Sequence, residues 1–187
     1  ITIIGAGALG LYTAYDLYER GYTNIIIVAE KFDSLTSHNA GGLLAPVSMK
    51  NEPEIQKVID EVSIDAYRFY QMIALAKHPH FKEGAVIVPT YFASRADSGL
   101  EPYVGVVMQP AKDVVLDFGN GTKHAMVAYD DGIFIDTTEM MESLNTYARN
   151  KNIKFIQKKV ISFGGINTKY IINCSGMGAK ELSHDKI

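Results

Sequence analysis

Three glycines near the start of the chain have the types and spacing that bind nucleotide phosphates. Gly5, Gly7 and Gly10 form the pattern G-x-G-x-x-G; a strand-like run at 1–4 precedes it and a helical pattern at 11–20 follows. In this context the glycines permit a tight turn, a close approach of backbone to a pyrophosphate, and close packing of helix on strand. The phosphates lie at the helix N-terminus, where free N–H groups and the helix dipole attract anions.

An acidic residue supplies a second signal for the same chemistry. The next apolar run, 25–28, is followed by Glu30, twenty residues after Gly10. A carboxylate at this place accepts hydrogen bonds from both ribose hydroxyls and repels a 2′-phosphate. The structural alternative for Glu30 is a solvated strand end. Together with the glycines, Glu30 favours a dinucleotide site.

Composition narrows the class of protein. The 187 residues are 47% hydrophobic and 21% charged, which is typical of a globular protein. The net charge is −3 with no basic block, which argues against a nucleic-acid partner. The single cysteine, Cys174, favours a reducing compartment, so we expect a cytoplasmic protein, or a peroxisomal one in a eukaryote. No apolar run approaches a membrane span, and no signal peptide is recognisable.

Other catalytic patterns are weak. The pair His78 and His80 flanks a proline and lacks further ligands nearby, so it predicts a surface loop and no metal site. No Ser-His-Asp set and no paired-carboxylate motif stands out, and no catalytic residue is identified.

The elements that position these residues follow from hydrophobic periodicity. The pattern predicts helices at 11–20, 52–77 and from 137 to 150, and strands at 1–4, 25–28, 85–92, 113–118, 122–129, 133–135, 153–156, 160–163 and 170–174, the last one buried. Asn120-Gly121 predicts a type I′ hairpin turn, and residues 130–132 predict another turn.

The order of elements indicates an α/β fold: a Rossmann-like nucleotide-binding domain with part of an antiparallel-sheet second domain. We expect the nucleotide-binding domain to be discontinuous, comprising 1–50 and 137–187, and the helix with the partial antiparallel domain to occupy 51–136.

Four stretches resemble the FAD-dependent amino-acid oxidase family, particularly the D-amino acid oxidase type. They are GAGALGL at 5–11, VAEKF at 28–32, LTSHNAGGLLAP at 35–46, and KVISF at 159–163 followed by YIINCSGMGAKEL at 170–182. The last two are the more specific and favour FAD over NAD, whereas residues 50–125 match only loosely. The family's substrate-clamping tyrosine and arginine lie in its second half, so the resemblance implies that this chain lacks the family's C-terminal half.

The resemblance also implies a set of FAD contacts. The pyrophosphate is expected at Gly5, Gly7, Ala8, Leu9 and Gly10, the adenosine ribose at Glu30 and Lys31, phosphate or ribityl oxygens at Thr36, Ser37 and His38, the isoalloxazine ring at Gly41, Gly42 and Leu43, the adenine at the Val160 backbone, and a closing contact at Ser175 and Gly176.

The function implied by the resemblance is oxidation of the CH–NH2 group of an amino acid, with the D configuration favoured. The product is an imino acid, which hydrolyses to a 2-oxo acid, and the partner is the small-molecule substrate. Three alternatives remain: a flavin amine oxidase acting on glycine or sarcosine, an NAD-linked dehydrogenase, and a truncated nucleotide-binding module without turnover.

Overall fold

The computed structural model describes residues 1–47 and 52–184. The helices and strands, in chain order, are β1 (Thr2–Ile4), α1 (Ala8–Glu19), β2 (Ile26–Ala29), α2 (Pro53–Ala74), β3 (Ala85–Phe92), β4 (Lys112–Asp117), β5 (Lys123–Ile135), α3 (Thr137–Asn150), β6 (Lys154–Gln157), β7 (Ile171–Asn173) and α4 (Ala179–Ser183). Two compact units result: a first unit of Ile1–Gly41 with Thr137–Ile187, and a second unit of Gly42–Asp136. The predicted domain boundary between residues 50 and 51 lies outside the described residues.

The first unit is built on a parallel sheet with the strand order β6-β2-β1-β7. The apolar runs of β1 and β2 occupy the centre, where Ile3 and Ile27 are fully buried. Continuous apolar strands are typical of a parallel sheet covered on both faces. The prediction that 170–174 is a buried strand was wrong in its burial, because β7 lies at the edge of the sheet and is only half-buried.

The predicted strand at 160–163 is absent. Residues 158–162 have no regular structure, and a short 3-10 turn occupies Phe163–Gly165. The hydroxyl of Ser162 accepts a hydrogen bond from the N–H of Gly164, which satisfies that donor locally instead of in a ladder. The chain after β6 is therefore a loop.

Helices α1 and α3 pack against each other in the first unit. The rings of Tyr15 and Tyr147 meet edge to face at 5.1 Å, and the Tyr147 hydroxyl donates a hydrogen bond to the Glu19 carboxylate. Helix α1 begins three residues earlier than its periodicity predicts, so Gly10 lies inside it. Gly21 follows the helix with φ +91°, as expected of a glycine that terminates a helix.

The second unit contains an antiparallel sheet with the order β3-β5-β4, and α2 packs on one face of it. The predicted turn at 130–132 was wrong, because β5 continues through these residues as a strand. Gly132 is needed for packing: a Cβ there would lie 2.6 Å from Cγ2 of Thr90. The register shifts between Val88 and Thr90, where Asp130 and Asp131 of β5 face the single residue Pro89 of β3, so the pairing contains a bulge there.

The hairpin between β4 and β5 is present, but its turn differs from the prediction. Asp117 pairs with Lys123, which leaves a five-residue loop at 118–122. Positive φ occurs at Gly119 and Gly121 and not at Asn120, whereas a type I′ turn requires it at two consecutive residues. The Asn120 side chain instead accepts a hydrogen bond from the N–H of Thr122.

No helix in the described ranges is long and apolar enough to cross a membrane.

Tyr67 provides a test of the core of the second unit. Its side chain is buried, and its hydroxyl donates a hydrogen bond to the Asp131 carbonyl at 2.7 Å. Burial, with a smaller contribution from the charge of Asp131, raises the pKa of Tyr67 from 10.0 to about 12. Between these values the folded state keeps a proton that the unfolded state releases, so stability falls as pH rises.

We therefore expect the free energy of unfolding of Tyr67→Phe to fall less steeply with rising alkaline pH than that of the wild type. The Tyr67 contribution amounts to about 3 kcal/mol between pH 10 and 12, and the variant also loses about 1 kcal/mol at neutral pH with its hydrogen bond. Urea unfolding at pH 7, 10 and 11 measures both effects, with Tyr22→Phe at an exposed tyrosine as the control. Equal pH slopes in Tyr67→Phe and the wild type would contradict the assignment.

Candidate functional site

A cleft of about 750 Å³ opens where the four parallel strands of the first unit end. Each strand is followed by residues that line it: Gly5 after β1, Glu30 after β2, Lys158 after β6 and Cys174 after β7. Crevices beyond the carboxyl ends of the strands are where open α/β sheets bind ligands. The cleft is formed by the first unit alone.

The glycine turn is closed by backbone contacts that exclude a side chain. Gly5 has φ +106°, and a Cβ there would lie 2.2 Å from the carbonyl oxygen of Cys174. A Cβ at Gly10 would lie 2.0 Å from the carbonyl oxygen of Gly5. At Gly7 the nearest atom to a Cβ is the Ser37 hydroxyl, at 3.2 Å. Gly5 and Gly10 therefore allow the turn itself, whereas Gly7 leaves its backbone open to a ligand.

The N-terminus of α1 supplies hydrogen-bond donors at this turn. The N–H of Ala8 donates to Oγ of Ser37 at 3.0 Å. Nothing in the described part of the chain accepts a hydrogen bond from the N–H of Leu9 or of Gly10, which is usual in the first turn of a helix. The Ser37 hydroxyl keeps its own proton to donate. The turn therefore offers several donors to an anion, and the helix dipole adds to them.

Glu30 presents an exposed carboxylate at the end of β2. Its side chain is 59% exposed, and its Oε2 lies 4.0 Å from Nζ of Lys159. Its carbonyl oxygen accepts a hydrogen bond from Nε2 of Gln157 at 3.2 Å. A carboxylate at this position can accept hydrogen bonds from two neighbouring hydroxyl groups.

Nine of the sixteen residues expected to contact the cofactor line this cleft. They are Gly5, Gly7, Glu30, Lys31, Thr36, Ser37, Val160, Ser175 and Gly176. Ala8, Leu9, Gly10 and His38 belong to the first unit without lining the cleft, and the Leu9 side chain is 72% exposed. His38 has local contacts, because its Nδ1 accepts a hydrogen bond from the N–H of Leu35 at 3.2 Å.

The Gly41–Leu43 stretch lies where the two units meet in sequence. Gly41 ends the first segment of the first unit and is exposed. Gly42 and Leu43 belong to the second unit, where the Ile135 N–H donates to the Gly42 carbonyl at 2.7 Å. A Cβ at Gly42 would lie 2.1 Å from the Ile135 carbonyl oxygen. The glycine at 42 is thus required by its pairing with β5.

Several residues that line the cleft were not predicted from the sequence. Lys158, Lys159 and Ile161 follow β6, and Cys174 and Met177 follow β7. Ile161 is 80% exposed and Met177 is 94% exposed, although both are apolar. Their position directly after a strand of a parallel sheet was the signal that could have identified them. No group of three or more His, Cys, Asp or Glu residues within 1–47 and 52–184 is arranged to hold a metal ion.

Comparison with known proteins identifies a family and similar folds. The family model described as FAD dependent oxidoreductase matches residues 1–187. Glycine oxidase from Geobacillus kaustophilus has a TM-score of 0.71 at 15% identity, over 98% of this chain and 56% of that one. Iminodiacetate oxidase (IdaA) from Chelativorans sp. BNC1 has a TM-score of 0.70 at 16% identity, over 98% and 57%.

A third similar structure is L-amino acid deaminase from Proteus myxofaciens, determined in complex with anthranilate. It has a TM-score of 0.57 at 17% identity, over 83% of this chain and 37% of that one. This chain thus spans between about a third and three fifths of the length of these structures. The match over the whole chain confirms the family that the four sequence motifs predict.

Proposed function

The chain belongs to the FAD-dependent oxidoreductase family, and from this premise we propose that the cleft of the first unit binds the adenosine diphosphate part of FAD. The single observation that carries the proposal is the position of the glycine turn and Glu30 in one cleft, at the carboxyl ends of β1 and β2. The glycine turn attracts a pyrophosphate, and the Glu30 carboxylate accepts hydrogen bonds from the ribose hydroxyls.

The residues present fit this group in three respects. The backbone at Gly7 is open, and the N–H groups of Leu9 and Gly10 at the start of α1 have no acceptor in the described part of the chain. Lys31, Lys158 and Lys159 line the cleft and add positive charge suited to a diphosphate. The volume of about 750 Å³ lies within the range of cofactor sites.

In this assignment the turn from Gly5 to Gly10 holds the pyrophosphate. Thr36 and Ser37 donate to phosphate or ribityl oxygens, Lys31 lies beside the ribose, and the Val160 backbone meets the adenine. Ser175 and Gly176 close the site. His38 is a proposed contact of the phosphate or ribityl oxygens. The Gly41–Leu43 stretch is a proposed contact of the isoalloxazine ring. Neither His38 nor this stretch lines the cleft.

For the domains, we assign residues 1–50 and 137–187 to FAD binding and 51–136 to part of a substrate domain. A discontinuous first unit that resumes at Thr137 supports the second boundary, whereas residues 42–47 belong to the second unit.

For the activity, we propose oxidation of the C–N bond of an amino acid, with D-amino acids as the first substrates to test. Bound FAD supplies the two-electron acceptor for a hydride from Cα, while nitrogen loses a proton and the resulting imine reacts with water to give a 2-oxo acid and ammonia. The residues of this chain bind and orient the cofactor. The family membership supports amine oxidation, and the choice of the D configuration rests on the sequence resemblance.

The experiment is a titration of the purified chain with FAD, followed by flavin fluorescence and the visible absorption spectrum, with NAD as the competing ligand. We expect saturable binding of FAD and no displacement by NAD. The intact mass of the same sample establishes the length of the polypeptide that is titrated. Absence of FAD binding, or displacement by NAD, would overturn the cofactor assignment.

A second step tests the substrate. Anaerobic addition of D-alanine, L-alanine, glycine and sarcosine to the FAD complex reports hydride transfer as loss of the oxidised flavin spectrum. Loss with D-alanine alone supports the D-specific activity. Loss with glycine or sarcosine alone favours the related amine oxidase, and FAD binding without any loss favours a nucleotide-binding module.

A further inference from the structure

Three contacts from β6 and the residues after it hold the end of β2 in place. The N–H of Lys158 donates to the Ala29 carbonyl at 2.9 Å. Nε2 of Gln157 donates to the Glu30 carbonyl at 3.2 Å, and Nζ of Lys159 lies 4.0 Å from Oε2 of Glu30. The first contact continues the β2–β6 pairing, whereas the other two act on Glu30 itself.

Glu30 needs such contacts if it is to bind a ribose. It lies one residue beyond β2, and its side chain is mostly exposed, so neither the ladder nor core packing fixes its conformation. Accepting hydrogen bonds from two adjacent hydroxyl groups requires one orientation of the carboxylate, and ordering a free side chain reduces affinity. Gln157 restrains the peptide of Glu30, and Lys159 attracts its carboxylate.

We propose that Gln157 and Lys159 are positioning residues that orient Glu30 toward the ribose hydroxyls of the adenosine. This inference rests on the proposed function of the cleft. Gln157 does not line the cleft, so its effect on a ligand passes through Glu30. Lys159 does line it, and its ion pair is exposed, where such pairs contribute little to stability. The main consequence of both contacts is therefore on ligand binding.

The experiment compares ADP with 2′-deoxy-ADP, because only the first offers both ribose hydroxyls. Calorimetric titration of the purified chain is performed for the wild type, Gln157→Met and Lys159→Met. We expect each variant to bind ADP about two- to fivefold more weakly, with a much smaller change for 2′-deoxy-ADP. Unchanged thermal midpoints establish that the fold is retained.

Lys158→Met is the matched control for charge. Lys158 lines the same cleft, and no ion pair joins it to Glu30 among the described residues. Any general effect of removing one positive charge is equal in the two lysine variants and lowers the affinity for both nucleotides. We expect only Lys159→Met to reduce the preference for ADP over 2′-deoxy-ADP.

A double-mutant cycle with Glu30→Gln separates positioning from direct contact. If Lys159 acts through Glu30, Lys159→Met in the Glu30→Gln background weakens ADP binding no more than Lys158→Met does. An effect that exceeds that of Lys158→Met equally in both backgrounds would mean that Lys159 contacts the nucleotide itself, which overturns the positioning role. ADP affinities unchanged in both Gln157→Met and Lys159→Met overturn it as well.

Failure of the proposed function gives a different result. If the wild type does not distinguish the two nucleotides and Glu30→Gln binds ADP as the wild type does, Glu30 does not hold the ribose. The ribose assignment and the positioning role then fall together. If Glu30→Gln weakens ADP binding while the Gln157 and Lys159 variants do not, only the positioning role is overturned.

Discussion

Gly10→Ala is expected to destabilise the first unit by more than about 3 kcal/mol and to abolish nucleotide binding. Its Cβ would lie 2.0 Å from the carbonyl oxygen of Gly5 and 2.9 Å from the carbonyl carbon. Both are backbone atoms, so no side-chain rotation relieves the overlap. Helix α1 would have to move away from β1, and the turn between them would lose its shape. Urea unfolding monitored by circular dichroism measures the loss of stability.

Two other glycines provide controls for this result. Gly165→Ala adds a Cβ with no atom within 4 Å in the same unit, so we expect a change within about 0.5 kcal/mol. Gly7→Ala meets only the Ser37 hydroxyl at 3.2 Å, so the fold should survive while FAD binds more weakly. Wild-type stability in Gly10→Ala would show that the helix does not approach the turn as closely as described.

These glycines also show which features of the fold can be predicted from the sequence. The order of strand, glycine turn and helix predicts the first βαβ unit because every signal there is local. Gly132 was misassigned to a turn because it follows two aspartates, a common turn composition. Its requirement arises from Thr90 on a neighbouring strand, which is distant in sequence. Local composition carries no information about such a contact.

The strands near the edges of the sheet show a second limit of prediction from the sequence. The pattern at 160–163 resembles a strand, and the run at 170–174 resembles a buried one. The run at 170–174 is only half-buried because β7 lies at an edge of the sheet, and the chain at 160–163, after β6, forms a loop. Hydrophobic periodicity predicts that a strand exists more readily than it predicts its neighbours.

Some residues of the candidate site could likewise be predicted from the sequence, and others could not. The glycine turn and Glu30 follow from motif spacing, and both line the cleft. Ile161 and Met177 carry no motif and line the cleft because the parallel strands β6 and β7 both end at the same end of the sheet. Their identification requires the strand order, which the sequence alone does not provide.

Glu30→Ala is expected to weaken FAD binding about five- to 150-fold, corresponding to a loss of about 1–3 kcal/mol, because polar groups of the ribose are left without a partner. Glu30→Gln keeps one side-chain acceptor oxygen and should lose less. Since the carboxylate is exposed, the free energy of unfolding should change by less than about 0.5 kcal/mol in both variants. Titration with FAD, followed by flavin fluorescence, measures the affinity.

A second carboxylate in the cleft provides a control for the effect of removing a negative charge. Glu181, on α4, also lines the cleft, so Glu181→Gln removes the same charge from the same site. If net charge alone controls binding of the FAD diphosphate, both Gln variants bind more tightly, because a negative charge has been removed near an anion. If Glu30 holds the ribose, Glu30→Gln binds more weakly while Glu181→Gln does not. Weaker binding in Glu30→Gln with tighter binding in Glu181→Gln would therefore identify a hydrogen-bonding role for Glu30, and tighter binding in both would exclude it.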